Sequence, residues 1–272
     1  MQYEGAIAAG ERMVSAVDLR DPQFLIPAFD RLEPFTPNAR ILTENHVVAF
    51  NTRVMDARPF TLLRAQVLKK MRAAKWKLIG VTSATPEVGK SFVAANLAAA
   101  LSRLSDVHTY LLDLDLRRAS QSRTFGLEGS AGLTEYLAGE NVRLSSIGRR
   151  VVSTNLALFS CFPSQVNSAE LLVGPRFQAL IGAMRALPDD AVVICDLPPV
   201  FANDDAMIVA QELDAFLFVV EEGVTTKKQV REAMRLLEPA PCLGTILNRY
   251  KGGMGDQYGY GYGMKYGSYY DA

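Results

Sequence analysis

The 272-residue chain predicts an α/β fold, a doubly wound, mostly parallel sheet with helices on both faces. Apolar runs alternate with helical stretches along most of its length, and continuous apolar runs are the mark of strands buried on both sides. Two of these runs, Tyr110 to Asp113 and Ala191 to Asp196, end in carboxylates, at the strand ends where ligands sit in open α/β sheets. A third, Leu78 to Ser83, leads through a short turn into Gly89-Lys90-Ser91 and on to Phe92–Leu101, a stretch of strong helix formers.

The third run is a phosphate cradle. Backbone N–H groups of such a turn and the positive end of the following helix face an anion, Lys90 reaches the β/γ-phosphates, and the Ser91 hydroxyl takes a place on Mg²⁺. The pattern G-x-x-x-x-G-K-[ST] is incomplete, because Ala84 stands where its first Gly belongs.

Taken in order, the chain divides into an arm, a core domain and a tail. Residues 1–45 carry little pattern, and Pro27, Pro34 and Pro37 interrupt any helix, so a partly extended N-terminal arm is expected. Within the domain expected over 46–249, Phe60, Leu63, Val67, Leu68 and Met71 fall at helical spacing from Arg58 onward. Later strands are expected at Thr109–Asp113, Leu156–Cys161, Val192–Asp196, Ala215–Val220 and Leu243–Asn248. Helices are expected near Ala94–Leu104, Ser168–Leu187, Asp205–Glu212 and Lys227–Leu237. Residues 250–272 form a Gly/Tyr-rich tail holding seven of the chain's ten tyrosines, with no aliphatic residues from which to build a core. A tyrosine-rich tail joined to a nucleotide site suggests a phosphoryl acceptor; a self-association segment is the plainer reading.

Composition excludes several classes. A chain with 49% hydrophobic and 21% charged residues can bury a full core, and its formal charge of zero leaves no compositional argument for nucleic acid. No run approaches eighteen apolar residues, and Glu4 and Glu11 do not suit a secretion signal, so a cytoplasmic location is expected. Cys161, Cys195 and Cys242 lie far apart in or beside apolar strands and read as small core residues without metal spacing.

From about Ile41 to Ala272 the chain resembles the bacterial tyrosine autokinases of the capsule and exopolysaccharide type, P-loop NTPases of the deviant Walker kind. The resemblance rests on the loop at Lys90, on Asp113-Leu114-Asp115-Leu116-Arg117-Arg118, on Asp196-Leu197-Pro198-Pro199 and on the tyrosine tail. It implies ATP and Mg²⁺ as cofactors, with Thr85, Pro86, Glu87, Val88, Gly89, Lys90, Ser91 and Phe92 around the phosphates. Lys90, Asp113 and Asp115 would be catalytic, and Ser91, Asp113 and Asp196 would hold the metal. Tyr258, Tyr260, Tyr262, Tyr266, Tyr269 and Tyr270 would be the acceptors. Asn248 followed by Arg249 fits an adenine-edge contact as well as a plain strand-terminating turn. The partners implied are a separate membrane-spanning polysaccharide co-polymerase or chain-length regulator as activator, further copies of this chain in a ring, and a tyrosine phosphatase. Attachment to the inner face of the plasma membrane would come through the activator.

The chain departs from the family pattern in two places. Where relatives carry Pro-Gly-Glu-Gly-Lys it has Pro86-Glu87-Val88-Gly89-Lys90. A side chain at that Gly position costs about 1–2 kcal/mol if the backbone there has positive φ, and Glu87 sets a carboxylate near phosphates. The E-x-x-R-x-x-R helix used between ring subunits aligns with Arg58, Thr61 and Arg64, of which only the last matches. Partition and septum-positioning ATPases share the Walker set but carry a signature Lys where Thr85 stands here, and they lack a tyrosine tail. An ATP-binding switch or scaffold with little kinase activity is the alternative.

Overall fold

The structure, a computed structural model, describes residues 21–51 and 53–251. The acceptor tyrosines from Tyr258 to Tyr270 and residues 1–20 of the expected arm lie outside the described residues. In chain order the elements are β1 (Glu33–Phe35), α1 (Ala39–Glu44), α2 (Arg58–Ala74), β2 (Leu78–Ser83), α3 (Lys90–Leu101), β3 (His108–Asp113), α4 (Ser120–Phe125), α5 (Leu133–Leu137), α6 (Leu144–Ile147), β4 (Gly148–Val151), β5 (Leu156–Phe159), α7 (Ser168–Leu172), α8 (Pro175–Arg185), β6 (Ala191–Asp196), α9 (Asp205–Ala210), β7 (Ala215–Glu221), α10 (Lys227–Leu237) and β8 (Cys242–Asn248).

The strands form one eight-stranded sheet in the order β1-β4-β5-β3-β6-β2-β7-β8. All neighbouring pairs are parallel except β4 with β5. Successive side chains on a strand point to opposite faces, and the two halves of the core follow from that alternation. Tyr110, Leu112, Val193 and Cys195 join α5, α7 and α8 through Tyr136, Leu172, Phe177 and Leu180 on one face. Ile79, Val81, Leu111 and Ile194 meet Phe60 and Val67 of α2 and Val93 and Leu97 of α3 on the other.

Residues 33–35 of the expected arm form edge strand β1 beside β4, and Phe24 and Leu32 are buried in the core. Two features of the expected secondary structure are corrected. The helix expected over Ser168–Leu187 is two helices, because Gly174 and Pro175 break it between α7 and α8. Cys242 is exposed rather than a core residue, because β8 is an edge strand with one face in solvent, while Cys161 and Cys195 are buried.

One buried polar side chain ties the segment before α2 to the domain. Asn96, in the middle of α3 and fully buried, accepts from Val48 N at 2.9 Å and Ala49 N at 3.1 Å, and donates to His46 O at 3.0 Å and Phe92 O at 3.1 Å. Removing one partner of a buried hydrogen bond leaves the other unsatisfied at about 1–3 kcal/mol per group. Asn96→Ala is therefore expected to destabilise the protein by about 3 kcal/mol in urea unfolding; a loss under about 1 kcal/mol would mean that the 46–49 segment relaxes freely.

Candidate nucleotide site

Three adjacent strands bring the charged groups together. In the sheet β6 lies between β3 and β2, and Asp196 of β6 is the register partner of both Asp113 on β3 and Val81 on β2. The turn after β2 then places Lys90 at the first position of α3, pointing back over the same strand ends. Lys90 Nζ lies 2.7 Å from Asp115 Oδ2, 3.5 Å from Asp196 Oδ1 and 3.2 Å from Ser91 Oγ. Lys90, Asp113, Asp115 and Asp196 are all buried.

The carboxylates are held by groups that the sequence reading did not single out. Asp113 Oδ2 accepts from Gln121 N at 2.8 Å, and its Oδ1 accepts from Asp115 N at 3.3 Å. Asp196 Oδ2 accepts from Gln121 Nε2 at 2.8 Å and from Ser120 Oγ at 3.1 Å, and Gln121 Nε2 also donates to Ser91 O at 3.1 Å. Gln121 therefore joins all three elements. The sequence signal for it is faint: α4 is a single short helix, and it opens on Ala119 with a left-handed φ of 47°.

Burial disfavours the Lys90 ammonium, yet the charges of Asp196, Asp115 and Asp113 outweigh that and raise its pKa above the usual lysine value. Asp113 is fully buried; desolvation, and next the neighbouring Asp196 charge, push its pKa up to about 8. Cys161 packs on the same group, with Sγ 3.9 Å from Asp115 O, and burial raises its thiol well above the usual range. That thiol stays protonated and is no nucleophile.

The turn itself is built by its backbone. Gly89 has φ 91°, and a Cβ there would stand 2.2 Å from Asn248 Nδ2. Asn248 Nδ2 donates to Val88 O at 2.8 Å, so the last strand supports the phosphate loop directly. Glu87 has φ 66°, in the left-handed region, so the condition for a strained side chain at this Gly position is met, and its carboxylate pairs with Arg118 at 3.1 Å. Ser83 Oγ donates to Thr85 O at 2.8 Å, and Thr82 Oγ1 donates to Pro198 O at 2.8 Å, so the loop after β6 is fastened to β2. The Phe92 ring packs against Phe60 of α2 with centroids 5.5 Å apart, which leaves only its backbone for the phosphates. Arg249, just past the end of β8, donates through Nη1 to both carboxylate oxygens of Glu221 at 2.9 Å.

The donor set fits a hydrated hard cation. Among the described residues Gln121 Oε1 is a buried acceptor with no hydrogen-bond donor, and Asp196 Oδ1 has no hydrogen bond and only the Lys90 ammonium nearby at 3.5 Å. Oxygen ligands of this kind suit Mg²⁺, which keeps several waters and takes one or two carboxylates beside substrate phosphates. Among the described residues no group of three or more His, Cys, Asp or Glu side chains forms a metal cage by itself.

Residues 75–246 match the ParA family, described as the NUBPL iron-transfer P-loop NTPase. The tyrosine-protein kinase YwqD of Bacillus subtilis is 31% identical over 231 residues, covering 82% of this chain and 93% of that protein. The tyrosine-protein kinase ptk of Acinetobacter johnsonii is 34% identical over 188 residues, or 68% of this chain and 25% of that protein. This chain thus spans about a quarter of the length of the latter and of several other relatives. Among solved structures, the kinase domain of the Escherichia coli tyrosine kinase ETK superposes with a TM-score of 0.67 at 28% identity, covering 76% of this chain and 82% of that one.

Two predictions follow from the geometry. Glu87→Gly removes a left-handed side chain and a carboxylate at the loop mouth; it is expected to stabilise the fold by about 1 kcal/mol and to tighten ATP binding, read by thermal unfolding and titration calorimetry. Unchanged or weaker ATP binding would show that Glu87 contributes to the site. The folded chain holds an Asp113 proton that the unfolded chain releases near pH ~4, so the Mg²⁺-free protein should lose stability as pH rises from about 4 to about 8. Asp113→Asn should flatten that decline in a pH series of urea midpoints, and an unaltered slope would remove Asp113 as its source.

Proposed function

Because the chain belongs to the bacterial tyrosine kinases within the ParA-type P-loop NTPases, we propose that it is an ATP-dependent protein-tyrosine autokinase that modifies its own C-terminal tyrosines. The observation that carries the reading is the buried Lys90 held among Asp113, Asp115 and Asp196 beside the Gly89 turn, in a chain ending in a tyrosine-rich tail.

In this reading the N–H groups of the 85–91 turn and Lys90 hold the β/γ-phosphates of ATP, whose oxygens compete with Asp115 for the Lys90 ammonium. Ser91, Asp196 and Asp113 would hold Mg²⁺, which when bound would supply positive charge to offset that of the phosphates. Asp113 orients a tyrosine hydroxyl of the tail and accepts its proton, the role that a carboxylate beside the attacking oxygen can take. The phenol oxygen–phosphorus bond forms as the bond to the β-phosphate oxygen breaks, and ADP leaves with that electron pair. Phosphoryl transfer of this kind needs positioning and charge stabilisation more than covalent help. Asn248 would take the adenine edge only by releasing Val88 O.

The tail of one copy would enter the site of another. Each phosphate adds about −1.5 to −2 charges, so six modified tyrosines add on the order of −9 to −12 and repel the tail from an acidic centre. Cycling of that charge, reset by a tyrosine phosphatase, would loosen a homo-oligomeric ring and gate capsule or exopolysaccharide polymerisation and export. The activator would be a separate membrane-spanning co-polymerase that holds the kinase at the inner face of the plasma membrane; among the described residues no helix is long and apolar enough to cross a membrane. Arg64, the one matching residue of the ring motif, donates to Ala100 O at 2.9 Å within the chain, so a ring would use other contacts or free this one.

The ParA match favours a second reading, a nucleotide-dependent switch with little transfer to tyrosine. Intact mass and phosphopeptide mapping after incubation with ATP and Mg²⁺, alone and with the activator's cytoplasmic segment, separates the two. The autokinase reading expects phosphoryl additions confined to Tyr258, Tyr260, Tyr262, Tyr266, Tyr269 and Tyr270, reduced on the order of a hundredfold or more in Lys90→Met. An unmodified tail with ATP binding retained would establish the switch.

A further inference from the structure

A basic pocket lies at the far end of α3, away from the acidic phosphate-loop site. An open pocket of about 690 Å³ is bounded by the chain leaving that helix, the segment ahead of α1 and the β4–β5 connection. Arg103 and Arg150 line it, with Leu42, Phe50 and Leu104 as apolar wall, and no Asp or Glu is among its lining residues. The helix has 12 residues, which sets this pocket about 18 Å from the phosphate loop.

The two arginines are short of acceptors. Arg150 Nε is buried with no hydrogen-bond partner, and among the described residues no carboxylate pairs with this side chain. Its neighbour on the same strand, Arg149, points the other way and pairs with Glu33 at 3.2 Å. Arg103 donates through Nη1 to Ala49 O at 3.1 Å, and burial followed by the nearby Arg64 charge lowers its pKa below the usual arginine value. A half-buried guanidinium with an unmet donor is unfavourable until an anion supplies the acceptor. The planar fork matches phosphate oxygens in pairs, and the apolar wall would receive a ring attached to that phosphate.

We propose that this pocket binds a phosphotyrosyl group of the tail, residues 252–272, so that the chain reads the product of its own reaction at a site separate from the one that makes it. An extended segment of that length reaches up to about 70 Å, well beyond the separation of the two sites. The source of the phosphate rests on the autokinase reading; the pocket's chemistry does not. Arginine clusters are a recurrent means of holding phosphorylated segments.

The test uses the full chain, free of phosphotyrosine, and synthetic peptides of residues 252–272 with and without phosphate on Tyr262, followed by fluorescence anisotropy. The phosphorylated peptide is expected to bind at least tenfold more tightly than the unmodified one. Arg150→Ala and Arg103→Gln should each weaken it tenfold or more while leaving ATP affinity unchanged. If Arg150→Ala fails to fold, Arg150→Lys keeps the charge, loses the fork and should still lose severalfold. Equal binding of the two peptides, or indifference to all three variants, overturns the proposal. Displacement by inorganic phosphate at the same concentration as the phosphopeptide also overturns it, because the site would then recognise free phosphate. Since the probe is made by synthesis, a negative result leaves the autokinase reading standing, and a chain without kinase activity can still be shown to hold the phosphopeptide.

Discussion

An ammonium group enclosed by carboxylates governs this molecule. Lys90 could not be charged at its depth without Asp115 and Asp196, and three carboxylates could not crowd one strand end without a cation among them. The sheet order makes the crowding unavoidable: a parallel register that pairs Asp113 with Asp196 brings two like charges side by side at the C-terminal edge. One consequence is a carboxyl group whose proton is held to near neutrality; another is an excess of negative charge that suits a divalent cation. The fold concentrates charge of one sign and leaves a cation to balance it when an anionic nucleotide is present as well.

Around that centre the supports are mostly neutral. Gln121 bridges Asp113, Asp196 and the start of α3, Asn96 fastens the chain ahead of α2, and Asn248 props the phosphate loop. Amides serve here because each offers a donor and an acceptor without adding charge to an acidic site. The pocket lined by Arg103 and Arg150 sits at the other end of the same helix, so α3 runs from the acidic phosphate-loop site to a basic pocket.

The central strands and the loop were legible because their signals are local. Leu78–Ser83, Ala191–Asp196 and Lys227–Leu237 appear within a residue or two of where apolar runs and helical periodicity put them. The loop pattern marked Glu87 as standing where relatives carry Gly, and the structure supplies the positive φ on which its cost depended. Other elements were hidden for physical reasons. β1 is three residues long and contains Pro34, which on an edge is tolerated and inside a pattern reads as a break. β4 begins at Gly148 and carries two arginines, so no apolar run marks it. Gln121 works through contacts with residues far along the chain, and nothing in its own neighbourhood announces them. The turn of Arg249 toward Glu221 depends likewise on a neighbouring strand.

The contact between Asn248 and Val88 sets where this polypeptide can be shortened. A cut after Lys251 keeps the amide that supports the phosphate loop and removes only the tyrosine segment, whereas a cut before Asn248 strips a prop from a turn more than a hundred residues upstream. The C-terminal boundary of the minimal nucleotide-binding unit is thus written in the loop that binds the nucleotide.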